Sequence, residues 1–291
     1  MSDVIIGDML GFSKIATGTP SEFCREVHGG QMTYDSNPII REGVGGQRKV
    51  LKGMSAVTTS CVCTGVAKAD WALWLPGTLD LQIATMFECL AEVDDGTNGA
   101  EFLLTGGQPS KFGLSWTDAP DAEVEFTLDA VWALATEQAV GTDIPVYYTD
   151  ATAAGYGPGD MSVVFGADPG VISINLQVDL LTQAHNTATV RAALAKTFPD
   201  SYHLTGVNPT CELITTEPLI ITQLTDDEYT AGNIVVTLDN GVVADDAAIT
   251  LTGMVCPNFN IRWEGGNGKV GFAHSFILGS SADVWGSAAV A

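Results

Sequence analysis

Apolar and polar residues alternate with a period of two along much of this chain. The clearest run is 172–180, where Ile172, Ile174, Leu176, Val178 and Leu180 alternate with Ser173, Asn175, Gln177 and Asp179. That pattern predicts a strand with one buried face. Val124, Phe126 and Leu128 alternate in the same way with Glu123, Glu125, Thr127 and Asp129. Residues 111–117 and 122–134 are therefore expected to form a β-hairpin whose outward row is acidic. Further strands are expected at 55–66, 210–215, 218–224, 233–238, 247–255, 258–264 and 269–278. Asp239-Asn240-Gly241 marks a tight turn between two of them. Helices are expected at 67–75, ended before Pro76, and at 189–198, ended by Pro199. A third is expected at 79–93, where Leu79, Ile83, Met86, Phe87 and Leu90 come close to helical spacing. Residues 1–20 read as an arm or a short first strand, and 279–291 as a peripheral tail. Residues 29–54, rich in glycine, read as a long loop or an extended hairpin.

One pattern occurs twice. Leu104-Thr105-Gly106 is followed by Phe112-x-Leu114-x-Trp116, and Leu251-Thr252-Gly253 by Phe259-x-Ile261-x-Trp263. Each copy then passes through a polar turn into Val-x-Phe, at Val124 to Phe126 and at Val270 to Phe272. The offset is near half the chain, which suggests a duplicated all-β unit. The expected division is a first unit at 1–150, a second at 160–291, and a linker at about 141–160, where glycine and proline cluster.

Charge narrows the partners. The 291 residues carry a formal net charge of −23. Residues 1–68 hold seven Lys/Arg against six Asp/Glu, whereas 69–291 hold five against 29. Such a surface repels phosphate and disfavours ordinary nucleic-acid binding. It suits a soluble protein, a salt-loving source, or a surface that must stay near DNA without adsorbing it. The one basic segment is the glycine-rich stretch carrying Arg41, Arg48, Lys49 and Lys52. The N-terminus lacks the basic start and apolar run of a secretory signal, so free buried thiols are expected. Cys61-x-Cys63 on a strand places two thiols on one face, but no second pair completes a metal site by spacing, and no metal is expected. No run reaches the roughly 18 apolar residues of a membrane span, and no membrane association is expected.

Catalytic motifs are missing. His28, His185, His203 and His274 are scattered, and no nucleophile elbow, phosphate loop or dinucleotide fingerprint occurs. Acid pairs such as Asp94/Asp95 and Glu123/Glu125 read as solvated faces. Trp71 and Trp74 read as packing residues rather than a sugar platform, and His274 as a buried, hydrogen-bonded histidine. No enzyme activity and no cofactor are expected.

Taken together, the short arm, the long glycine-rich loop feeding a strand at 55–66, the hairpins at 111–134 and 258–278 and the acidic balance resemble the tail tube (major tail) proteins of long-tailed viruses of bacteria and archaea. The resemblance covers most of the chain in outline and rests on architecture and composition. It implies an antiparallel β-sandwich or barrel with short flanking helices, here in two tandem copies. It also implies a structural virion protein, made in the host cytoplasm and placed in the virion tail. Its partners would be itself and other tail proteins, in stacked rings through which DNA passes without specific binding. Rings of this family are hexameric, so a duplicated chain would close as a trimer with pseudo-sixfold symmetry. In that arrangement Glu123, Glu125 and Asp129 are candidate lumen residues, and Arg41, Arg48, Lys49 and Lys52 candidate contacts between rings. The alternatives are another structural β-protein of a virion or cell surface (decoration, tail-tip or fibre component) and a carbohydrate-binding sandwich built on Trp71, Trp74, Trp116 or Trp263.

Overall fold

The computed structural model describes residues 9–16, 19–22, 24–35, 39–42, 48–51, 55–75, 86–93, 98–119, 121–138, 155–157, 159–166, 169–185, 199–218, 231–263, 270–279 and 288–290. The fold is mainly β, an antiparallel sheet curled into a half-barrel. The first half contributes β1 (Met9–Ala16), β2 (Thr19–Glu22), β3 (Cys24–Asp35), β4 (Ile39–Glu42), β5 (Arg48–Leu51), β6 (Ala56–Val66), β7 (Met86–Val93), β8 (Asn98–Thr117) and β9 (Glu125–Gln138). The second contributes β10 (Met161–Val164), β11 (Val171–His185), β12 (Ser201–Thr215), β13 (Gly232–Leu238), β14 (Ala247–Trp263), β15 (Val270–Leu278) and β16 (Ala288–Val290). A single helical turn, α1 (Lys68–Trp71), runs into a 3-10 turn at Ala72–Trp74.

The two halves carry one strand order. In the first, neighbours run β1-β7-β8-β9-β6-β3; in the second they run β10-β13-β14-β15-β12-β11. All of these pairs are antiparallel. Register agrees as well as order. Leu114 pairs with Phe126 in the first hairpin, and Ile261 with Phe272 in the second. One-residue bulges fall at matching places. The ladder slips between Pro109 and Lys111 on β8, and between Val255 and Asn258 on β14. It slips again between Val27 and Gly29 on β3, and between Val171 and Ser173 on β11. The glycines of both Leu-Thr-Gly copies have left-handed backbones, Gly106 at φ +67° and Gly253 at φ +74°. No side chain takes that conformation without strain, which explains why glycine occupies both positions. One difference lies along the strands that carry these glycines: β9 alone fills one edge of β8 from Glu101 to Ser115, whereas β15 and β16 share that role along β14.

The apolar half of each alternation faces one continuous core. Val124, Phe126 and Leu128 are buried, as are Ile174, Leu176, Val178 and Leu180. The short helix caps the first half's core. Trp71 stacks on Phe126 with ring centres 5.5 Å apart and leans on Phe112 at 5.9 Å. Trp74 donates its indole N–H to the Asp129 carbonyl at 2.9 Å.

The helix at 67–75, the hairpin at 111–134 and the strand at 172–180 are found as expected. The helix expected at 79–93 is corrected. Residues 86–93 form β7, hydrogen-bonded to β1 on one side and β8 on the other. Met86, Phe87 and Leu90 fall at helical spacing, but Phe87, Cys89, Ala91 and Val93 also alternate with Glu88 and Glu92, and that period of two is the one the strand follows. The 29–54 stretch resolves into the end of β3 and the separate hairpin β4–β5. The helix expected at 189–198, most of the strand at 218–224 and most of the linker at 141–160 lie outside the described residues.

Candidate functional site

The halves join through strand pairing. The 111–117 segment of β8 pairs antiparallel with residues 173–179 of β11. Leu114 lies opposite Leu176, and Phe112 opposite Val178, all four buried. On the other face of the same junction, Lys111 stands in register between Asp129 of β9 and Asp179 of β11. A cation between two carboxylates is the order that cross-strand electrostatics favours.

The expected acidic row is therefore part of a structured polar face. Glu125 and Asp129 stand on it four residues apart along β9, each half-buried. Glu123, just before the strand, binds Arg25 of β3. Glu125 accepts a hydrogen bond from Ser115 Oγ at 3.3 Å. One Asp129 carboxylate oxygen is buried without a hydrogen-bond partner. Glu123 and Glu125 line an open cleft of about 590 Å³ with Glu26, Asp121, Ser173 and Asn175. The cleft lies where β3, β9 and the junction meet. Its carboxylates make it hostile to phosphate.

Of the four basic residues, Arg41 and Arg48 are exposed on the β4–β5 hairpin, with Arg41 paired to Lys49 and Glu42 to Arg48. Lys52 lies outside the described residues. Ile40 and Val50 of the same hairpin are also exposed. The hairpin thus offers apolar and cationic side chains together.

The structure assembles a thiol cluster that spacing did not reveal. Cys24, Cys61 and Cys63 hold their sulfur atoms within 4.8 Å of one another. The pair on β6 was visible as Cys-x-Cys. Cys24 was not, because it arrives from β3 at a sequence distance of 37 residues or more. Hydrogen bonds from Cys61 and Cys63 push the Cys24 thiol well below its ordinary range, and the same sharing pushes Cys61 and Cys63 upward. The trio could hold a soft cation such as zinc with three sulfur ligands.

The aromatic candidates divide. Trp71 and Trp74, on the helical turns themselves, are buried against the core and offer no open face to a sugar. Trp116 is half-buried, and its indole nitrogen has no partner. His274 is buried and within hydrogen-bond distance of Thr215 Oγ1, 3.2 Å from its Nε2. Burial pushes its pKa down. Sequence reasoning passed over Met32 and Tyr34 and quoted Phe259 and Ile261 only as part of the repeat; all four stand on strand segments with one paired neighbour among the described strands. Tyr34 is 46% exposed and Ile261 50%. Ile261 occupies the place of buried Leu114 in the repeated motif, and only the structure shows that it is uncovered.

No helix among the described residues is long and apolar enough to cross a membrane. No family model matches the chain, and no curated protein matches it.

Proposed function

We propose that the chain is a structural subunit whose work is to assemble with copies of itself, as a tail tube protein of a long-tailed virus does. The carrying observation is the strand order shared by the halves, joined edge to edge through β8 and β11. Two like units already continue one sheet inside a single chain. The same geometry can continue it from chain to chain, and closure into a ring removes the open edges that otherwise promote uncontrolled aggregation. On this reading the chain holds two tandem units, and three copies supply the six of a pseudo-sixfold ring. Rings then stack into a conduit. The acidic polar face carrying Glu125 and Asp129 lines it, so that DNA slides without adsorbing.

Another virion or surface β-protein remains the second reading, since the same edges could serve a fibre or tip component. A sugar-binding role has less support, because Trp71 and Trp74 are both buried. Negative-stain imaging of the purified protein tests the proposal. Regular rings or tubes of one protein are expected. A monomer that persists at high concentration, alone and with other tail components, would overturn it.

A further inference from the structure

The inner junction specifies an outer one. β11 sits at the end of the second half's strand order, and β3 holds that place in the first. β8 receives β11 along 111–117, and the matching described stretch of β14 is 258–263. Among the described strands, β3 has β6 as its one neighbour, and residues 258–263 of β14 have β15 as theirs. Each half therefore presents the edge that the other half has filled.

Residue correspondence follows from the matched bulges. Val171 pairs with Thr215, the ladder slips one place, and Ser173 pairs with Ile214. Val27 pairs with Cys63, the ladder slips one place, and Gly29 pairs with Val62. Thr215 and Cys63 are themselves equivalent, since each pairs with the phenylalanine of its Val-x-Phe, Phe272 or Phe126. Gly29 thus stands for Ser173, Met32 for Leu176 and Tyr34 for Val178. On the receiving strand Ile261 stands for Leu114 and Phe259 for Phe112.

We propose that β3 of one copy pairs antiparallel with the 258–263 segment of β14 of a second copy, in the register that joins β11 to β8. Met32 then lies opposite Ile261, Thr33 opposite Asn260, and Tyr34 opposite Phe259. This rests on the self-assembly reading and names the contact edges. The apolar character of both edges supports it. Leu176 and Leu114 are 0% and 1% exposed inside the chain, whereas Tyr34 and Ile261, on the unfilled edges, are 46% and 50% exposed. These four exposed or half-exposed side chains share the core-facing side of their strands: Met32 pairs with Thr59, Tyr34 with Val57, and Phe259 with His274, all buried partners. Contact between the edges would extend the core from one copy into the next. A second copy is the occupant because one edge is a counterpart of β11 and the other a counterpart of the strand that binds β11. Head-to-tail pairing of this kind is heterologous and closes into rings when the rotation permits.

Cross-linking tests it. Directly opposed residues of an antiparallel pair bring their Cα atoms within disulfide reach. The double variant Thr33→Cys/Asn260→Cys, oxidised after assembly, is expected to give a ladder of dimers and larger species on non-reducing gels. Wild type and each single variant should stay monomeric on the same gel. Mixing the two single variants should give dimers only. The register-shifted double variant Thr33→Cys/Arg262→Cys should cross-link poorly. Ile261→Lys should abolish assembly while leaving the circular dichroism spectrum and melting midpoint of the monomer unchanged, because that side chain is exposed. Assemblies in the microscope without the ladder, or equal cross-linking by the shifted pair, would overturn the edge assignment and leave the assembly reading standing. A ladder without tubes would support the edges and sink the tube. Neither assembly nor ladder would sink both.

Discussion

Leu114 on β8 and Leu176 on β11 face each other across the junction of the halves, and solvent reaches neither. The contact makes the two halves one cooperative body rather than beads on a linker. Leu176→Ala should cost about 2–5 kcal/mol, the usual range for a buried leucine truncated in a tight core. Urea denaturation followed by circular dichroism should show one transition at a lower midpoint. Two separated transitions in the wild-type protein would mean that the junction does not couple the halves.

The helical turn over the first half makes a second expectation. Trp71 fills the space between Phe112 and Phe126 and is fully buried. Trp71→Ala should therefore destabilise the fold by about 3–5 kcal/mol, and Trp71→Phe by less. Denaturation midpoints of the two variants measure this. An undiminished Trp71→Ala protein would remove the helix from the core.

How much of this was legible beforehand depended on whether a strand had a wet face. The strand at 172–180 and the row Val124, Phe126 and Leu128 were readable because one side of each had to stay polar. Residues 86–93 were misread because Leu79, Ile83, Met86, Phe87 and Leu90 offered helical spacing that competed with the alternation of Glu88 and Glu92 against Phe87, Cys89, Ala91 and Val93, and the pairing with β1 and β8 decided it. The repeat was visible through Trp116 and Trp263, yet the shared strand order needed the pairing partners. Cys24 was invisible for the same reason: the thiol cluster is made by the β3–β6 register, which no local spacing encodes. The exposed edge residues were hidden most deeply. Ile261 and Leu114 look alike in sequence, and only a missing neighbour distinguishes them.

The repeated glycines test the backbone. Gly106→Ala and Gly253→Ala each force a side chain into the left-handed region, at a cost of about 1–2 kcal/mol. At Gly106 the new methyl would also lie 2.9 Å from Ala133 Cβ, closer than carbon atoms tolerate. Melting midpoints should fall for both variants, and further for Gly106→Ala. A neutral result at either position would argue against the left-handed backbone being a shared constraint.

The thiol cluster carries a pH dependence. Cys24 has its pKa lowered by donors from Cys61 and Cys63, so its thiolate persists below the ordinary thiol value of about 8.5. Thiolate is the reactive form. Alkylation of half-buried Cys24 by iodoacetamide should continue at mildly acidic pH, where ordinary thiols have stopped reacting. It should fade as pH drops through the depressed pKa. Cys61→Ser keeps one donor, whereas Cys63→Ala removes one and should move the profile upward. Mass-spectrometric labelling across pH measures it. A Cys24 profile centred on the ordinary thiol value would show that the three sulfurs do not share a proton.

In the proposed assembly the β4–β5 hairpin would serve stacking rather than ring closure. Arg41 and Arg48 project from an otherwise acidic molecule, beside exposed Ile40 and Val50. Opposite fields steer encounter and set register more than they add affinity. Reversing two charges with Arg48→Glu and Lys49→Glu should leave the fold intact, because the hairpin forms its own two-stranded sheet apart from the main one. Single rings should still form, since the edges on β3 and β14 are untouched, but long tubes should become short or absent. The wild-type protein should show the same shortening as salt rises and screens the hairpin's charge. Electron micrographs of both preparations at matched concentration read the outcome. Normal tubes from the double variant, insensitive to salt, would move the ring-to-ring contact elsewhere on the surface and leave the hairpin's cations without that role.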